Sequence, residues 1–341
     1  MDSDAVLEPL RAAAALVYDP DARGMRSARE AVGRYYAGHG APVSADSVVL
    51  TTSTSEAYSH LFRLLCDGGD EVLVAQPSYP LFDFLADLDD VRLRPYPLFY
   101  DFGWWIDFAE MERRIGARTK AILVVHPNNP TGHWTHGAER RRLEEVCARH
   151  GLALIVDEVF LDYPVEGEDG GESFAVGPHP VLTFVLSGMS KVAALPQMKV
   201  AWLAGFGPEE VLGEALGRLE VIADTFLSMS APVQLALPRW LEGRYEIQRQ
   251  IRQRVEENLA AVRTAGLEML RVEAGWAAVL WLRAADKADA AMVLVERAGV
   301  IVHPGAFYGL PDRRMVVVSL LTPVAEFRVG IGCIAEFDWG I

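Results

Sequence analysis

From Ser47 onward the chain alternates short, β-rich apolar runs with segments of helical pattern, and this alternation most constrains what it can fold into. Strands separated by helical crossovers pair side by side in parallel, so the pattern predicts an α/β domain with a mostly parallel central sheet flanked by helices. Val48-Val49-Leu50 reads as the first strand, followed by a helix through Leu65, strand 71–75 and a helix opened by Ser78 and Pro80. Strand 91–94, a helix capped by Asp107, strand 120–125, helix 136–149 and strand 152–156 continue it. Two apolar runs, 181–186 and 200–204, are expected to close the sheet. Glu166 to Gly171, acidic and glycine-rich, reads as a mobile connection.

Residues 208–237 have a helical pattern, and Ile247, Ile251, Val255, Leu259 and Val262 mark one apolar helix face. Beyond Gly266 the pattern becomes strands 268–273 and 277–282, a helix near 287–298, and strands 299–303 and 315–320. The expected organisation is a large domain over 1–245 and a small α+β domain over 246–341, a length ample for two cores.

A formal charge of −15 repels nucleic acid and anionic membranes, and no run of eighteen apolar residues free of charge is present. The acidic start Met1-Asp2-Ser3-Asp4 is unlike a secretory signal, so a cytoplasmic protein is expected. Cys66, Cys147 and Cys333 form no Cys-x-x-Cys pair and read as small buried hydrophobes. His133 and His136 stand three apart without a recognisable acidic or cysteine partner, so no metal site is expected.

Lys191 lies in a small-residue loop, Leu186-Ser187-Gly188-Met189-Ser190-Lys191, between the last two apolar runs. A partly desolvated lysine sheds its proton readily and can serve as an imine-forming nucleophile and proton carrier, although a lone lysine is more often a surface charge. Other residues at strand-to-helix ends sharpen the choice. Ser53, Thr54 and Ser55 open a helix, where hydroxyls and free amides suit an anion or simply cap the helix. Asp157 ends an apolar strand, where a carboxylate can hold a protonated ring nitrogen or cap the next turn. Asn129 offers an amide to a phenolate oxygen, or starts a turn with Pro130. Tyr79 can stack on a flat ring or pack in the core. Together they describe a cradle for a phosphorylated, ring-shaped, imine-forming cofactor.

Asn128-Asn129-Pro130-Thr131-Gly132, Asp157-Glu158-Val159, Ser187 to Lys191 with Leu195-Pro196, and Pro304-Gly305 occur in this order. The ordered set resembles the fold-type I pyridoxal-phosphate aminotransferases of class I/II, over about Tyr18 to Phe327. The resemblance implies pyridoxal 5′-phosphate as cofactor, with Lys191 as its aldimine lysine and as proton carrier between substrate Cα and cofactor. It implies Asp157 on the pyridine nitrogen, Asn129 on the ring hydroxyl and Tyr79 against the ring. Thr54 and Ser55 would hold the phosphate, with Ser53 contributing through its backbone. Tyr18 matches a tyrosine that reaches the neighbouring subunit's phosphate, which implies a homodimer with shared active sites. The substrates implied are an amino acid or amine and an oxo acid.

Departures from the family pattern define the remaining questions. Phe160 stands where many relatives have tyrosine, removing a phenol donor to the ring oxygen. Lys199 replaces a common arginine as a phosphate cation. Gly188 stands where serine is common, with Ser187 as its substitute. Val317 occupies the place of the arginine that forks onto the substrate carboxylate; nearby Arg283, Arg313, Arg314 and Arg328 read as surface charges. The amino-terminal arm of relatives is expected to be missing or shortened. Trp104, Trp105, Trp276, Phe307 and Tyr308 are candidates for a substrate pocket, Tyr308 foremost. Transamination is the main expectation. A lyase, decarboxylase or cyclising synthase on the same cradle is the second, and a non-catalytic cofactor-binding subunit the third.

Overall fold

A computed structural model describes residues 2–165, 171–227, 229–283 and 289–339. Residues 166–170, most of the acidic connection expected to be mobile, lie outside the described residues.

The alternating pattern folds into an eight-stranded sheet of order β1-β8-β7-β6-β5-β2-β3-β4. Its strands are β1 (Val48–Thr51), β2 (Glu71–Gln76), β3 (Arg92–Tyr100), β4 (Trp104–Ile106), β5 (Thr119–Val125), β6 (Ala153–Asp157), β7 (Thr183–Gly188) and β8 (Ala201–Phe206). Five adjacent strands, β7, β6, β5, β2 and β3, pair in parallel, while β8 runs antiparallel to both β1 and β7. Both faces are covered, which explains why the strands read as unbroken apolar runs. Leu154, Val156 and Val185 pack on one side, and Ala153, Ile155 and Leu186 on the other.

A second sheet, of order β10-β11-β9, is built from β9 (Ala277–Trp281), β10 (His303–Pro304) and β11 (Met315–Ser319). The helix Arg244–Thr264 lays Ile251, Val255, Leu259 and Val262 against it, as the apolar spacing predicts. No described helix is long and apolar enough to cross a membrane.

Four local expectations are corrected. The stretch 208–237 is two helices, Glu209–Phe226 and Ala231–Glu242, because Leu227 takes a left-handed conformation and Pro232 starts a new helix. Residues 268–273 contribute one bridge, Met269 to Leu280, rather than a strand. Leu270 donates to the Val279 carbonyl of β9 (2.9 Å), but other N–H groups go elsewhere: Arg271 to the Tyr100 hydroxyl (3.2 Å) and Glu273 to the Gly132 carbonyl (3.2 Å). The strand expected over 299–303 shrinks to His303–Pro304. Among the cysteines only Cys147 is buried; Cys333 is exposed.

Candidate active site

The candidate residues cluster at the carboxyl ends of the sheet strands, where an α/β sheet offers its binding crevice. Lys191 follows β7, Asp157 ends β6, Asn129 follows β5, Tyr79 follows β2, and Thr54 and Ser55 follow β1. All six line one cavity of about 180 Å³. A second cavity of about 240 Å³ shares Asn129, Phe160 and Lys191 with it and adds Trp276, His303, Tyr308 and Val317.

Lys191 sits on a single helical turn, Met189–Val192, rather than in an open loop. The turn is pinned from below: the Tyr163 hydroxyl donates to the Lys191 carbonyl (2.6 Å) and the Gln248 amide to the Val192 carbonyl (2.8 Å). The Lys191 ammonium lies 5.0 Å from the Trp276 ring centre and 5.6 Å from that of Phe160. Burial among these rings holds its pKa below the usual lysine range, partly opposed by the Asp157 charge.

Asp157 is buried, and burial raises its pKa despite three stabilising partners. The Tyr58 hydroxyl donates to one carboxylate oxygen (2.6 Å), the Val159 amide donates to the other (3.0 Å), and Lys191 supplies positive charge. Tyr58 lines the same cavity and escaped the sequence reading. Its signal was spacing: four residues after Thr54, it shares that residue's helix face.

The helix Thr54–Leu65 starts beside the cavity. Ser53 is its N-cap, its hydroxyl accepting from the Glu56 amide (3.1 Å). The N–H groups of Thr54 and Ser55 belong to the first turn and stand outside the helical ladder.

Other expected site residues are not brought together with Lys191. Ser187 is buried and its hydroxyl finds no hydrogen-bond partner; one residue before cavity-lining Gly188, it points to the opposite sheet face. It therefore does not substitute for a hydroxyl at Gly188. A Cβ on Gly188 would stand 2.8 Å from the Ala201 Cβ, so the close pairing of β7 with β8 excludes serine there. Ser190 supplies the cavity's hydroxyl on this side instead. Lys199 is exposed and lines neither cavity. Tyr18 is 85% exposed and lines a different cleft, with Met25, His60 and Gln234. Trp104 is core, whereas Trp276 and Tyr308 do face Lys191's cavities.

Residues 15–324 match the family model described as aminotransferase class I and II. The chain belongs to that family. Members of the family use pyridoxal phosphate. Alanine aminotransferase of Mycobacterium tuberculosis is 31% identical over 230 residues, 67% of this chain and 53% of that protein. Glutamate-pyruvate aminotransferase of Haemophilus influenzae is 28% identical over 224 residues, 65% of this chain and 55% of that protein. The chain spans about half the length of these curated relatives in the matched region. In fold it is similar to alanine aminotransferase from Pyrococcus furiosus, with a TM-score of 0.88 at 22% identity, covering 98% of this chain and 87% of that one.

The cavity fits the family's cofactor on its own chemistry. A desolvated amine, a buried carboxylate whose charge needs a cationic partner, an amide side chain and a helix start face one space. Among the described residues lining the two cavities there is no arginine, and Val317, 1% exposed, forms part of the wall.

Directly behind Asp157, Glu158 is fully buried on the other side of the strand. It accepts from the Phe174 amide (2.6 Å) and the Ser173 hydroxyl (2.8 Å), yet burial pushes its pKa up to about 8. The folded protein therefore holds a proton here that the unfolded chain releases near the usual 4.5. The stabilising contribution is full below that pH and is lost as pH rises toward 8. Urea titrations of wild type and Glu158→Gln from pH 4.5 to 8 should diverge by about 4 kcal/mol, wild type losing ground. Parallel curves would refute the buried neutral acid.

Proposed function

We propose that this chain is a pyridoxal-phosphate-dependent aminotransferase that moves an amino group between an amino acid or amine and an oxo acid. The observation that carries the reading is the convergence of Lys191, Asp157 and Asn129 on one cavity. The family relationship supports it, and both curated relatives named above are aminotransferases by name.

When bound, pyridoxal phosphate supplies the electron sink that weakens the substrate's Cα–H bond. Lys191 is the residue that carries the cofactor and afterwards moves the proton at substrate Cα, a task its lowered pKa suits. Asp157 would hold the protonated ring nitrogen, Asn129 would donate to the ring hydroxyl, and Tyr79, at the same cavity, would pack against the ring. Thr54 and Ser55 hold the phosphate with hydroxyl and backbone donors, and Ser53 fixes the helix start that presents them. Ser187 and Lys199 receive no part in this assignment. Trp276 and Phe160 keep water from the Lys191 amine.

The proposal extends to a cytoplasmic homodimer in which exposed Tyr18 reaches the partner's phosphate site. It assigns the cradle to a large domain over 1–245, and Trp276, His303 and Tyr308 to a small domain over 246–341. Val317 favours one second reading, a different pyridoxal-phosphate reaction on a substrate held without an arginine fork.

A half-reaction separates the two. Under transamination the visible band of the purified protein falls when an amino donor is added and returns when an oxo acid follows. A lyase instead regains its starting spectrum unaided while releasing a fragment. A spectrum that no amino acid or amine moves contradicts both readings.

A further inference from the structure

His133 and His136 are followed at the same three-residue spacing by Glu139, a partner the sequence reading passed over, and the fold adds Glu273. Glu139 lies on the first turn of the helix Gly137–His150, and Glu273 arrives from the segment leading into β9. One ring nitrogen each of His133 and His136 and one Glu139 oxygen lie within 4.8 Å of one another. His133 Nε2 is 3.0 Å from Glu139 Oε2, and His136 Nε2 is 3.3 Å from Glu273 Oε1.

We propose that His133, His136 and Glu139 form a binding site for a divalent first-row transition ion, Zn²⁺ by its donor set, with Glu273 as the supporting carboxylate.

His133 carries the argument. It is 2% exposed, and both of its ring nitrogens are aimed at carboxylates within ion-pair distance. Nε2 faces Glu139 at 3.0 Å and Nδ1 faces Glu273 at 3.5 Å. A carboxylate behind one nitrogen and a ligand set before the other is how a metal-binding imidazole is oriented. Ligands about 2.0–2.1 Å from a tetrahedral zinc stand roughly 3.3 Å apart, near the 3.0 Å between His133 Nε2 and Glu139 Oε2. Two imidazoles with a carboxylate favour zinc over calcium or magnesium, which take oxygen ligands.

The donors are fixed by backbone contacts. Glu139 accepts from the amides of Ile106 (2.8 Å) and His136 (3.1 Å), and Glu273 accepts from the Trp134 amide (2.9 Å). Gly132, at φ +70°, turns the chain back, and a Cβ there would come within 2.6 Å of the Ala274 carbonyl. That close approach seats the Glu273 segment against the histidines. Arg271 lies 3.5 Å from Glu273 Oε1, which keeps Glu273 behind the imidazoles rather than on the ion. His136, half-exposed, leaves the fourth position open to water.

Equilibrium dialysis of the purified protein against micromolar Zn²⁺, followed by metal analysis, tests the site. About one equivalent per chain is expected, with affinity at least roughly tenfold weaker in His136→Ala and unchanged in His150→Ala, an exposed histidine elsewhere. Zinc should also raise the melting temperature of wild type and leave that of His136→Ala unmoved. Zinc uptake equal in wild type and His136→Ala, or no uptake by either, would overturn the proposal and leave a structural ion pair only.

Discussion

Lys191→Ala is expected to lower turnover by on the order of 10⁴-fold or more, with the fold and cofactor cavity otherwise retained. Two separate tasks fall on this amine in the proposed reaction, carrying the cofactor and moving the proton at substrate Cα. Nothing nearby can replace it as an amine: among the described residues lining the two cavities Lys191 is the one lysine, and the other ionisable groups there, Tyr58, Tyr79, Asp157, His303 and Tyr308, cannot carry the cofactor as an imine. Its environment also sets the pH range. Burial lowers the Lys191 pKa below its usual 10.5, so the neutral amine accumulates at lower pH than for a lysine in water. Lys191→Arg should be as inactive as the alanine variant, because a guanidinium stays charged throughout. Circular dichroism and thermal melting check that both variants fold. A Lys191→Ala protein retaining a tenth of wild-type turnover would remove the lysine from the mechanism.

The second large effect is expected at Asp157. Asp157→Asn keeps the size of the side chain and an oxygen for the Val159 amide, but removes the negative charge. The proposed role is electrostatic, holding a ring nitrogen protonated in a buried space, so turnover should fall by roughly 10²–10⁴-fold while cofactor remains bound. Three neighbours bear on the charge of the Asp157 carboxylate. Burial raises its pKa, but the Tyr58 hydroxyl, the Val159 amide and Lys191 each pull it back. The same substitution removes the charge that supports the Lys191 ammonium, so the Lys191 pKa should drop further. Cofactor content, steady-state rates and a spectroscopic pH titration together check this. Unchanged turnover in Asp157→Asn would refute the ring-nitrogen role.

The strands of the large sheet were legible because their two-sided burial leaves continuous apolar runs, as at Leu154–Val156 and Val185–Leu186. Their carboxyl ends then located Thr54, Ser55, Tyr79, Asn129, Asp157 and Lys191, since parallel strands deliver their loops to one edge. What escaped depended on contacts distant in sequence. The 268–273 segment has the composition of a strand, but Tyr100 and Gly132 take the N–H groups of Arg271 and Glu273. Ser187 and Gly188 differ by one step along a strand, and that step places them on opposite faces. Whether Tyr58 reaches Asp157, or Glu273 reaches His133, depends on residues 99 and 140 positions apart being folded together. No local pattern encodes either.

The most direct test of the central claim is borohydride reduction of the purified, cofactor-loaded protein, followed by peptide mapping. The account predicts that the visible band is lost on reduction and that the cofactor's mass appears on the peptide containing Lys191. A label on another lysine, or a protein that takes up no pyridoxal phosphate, would contradict it.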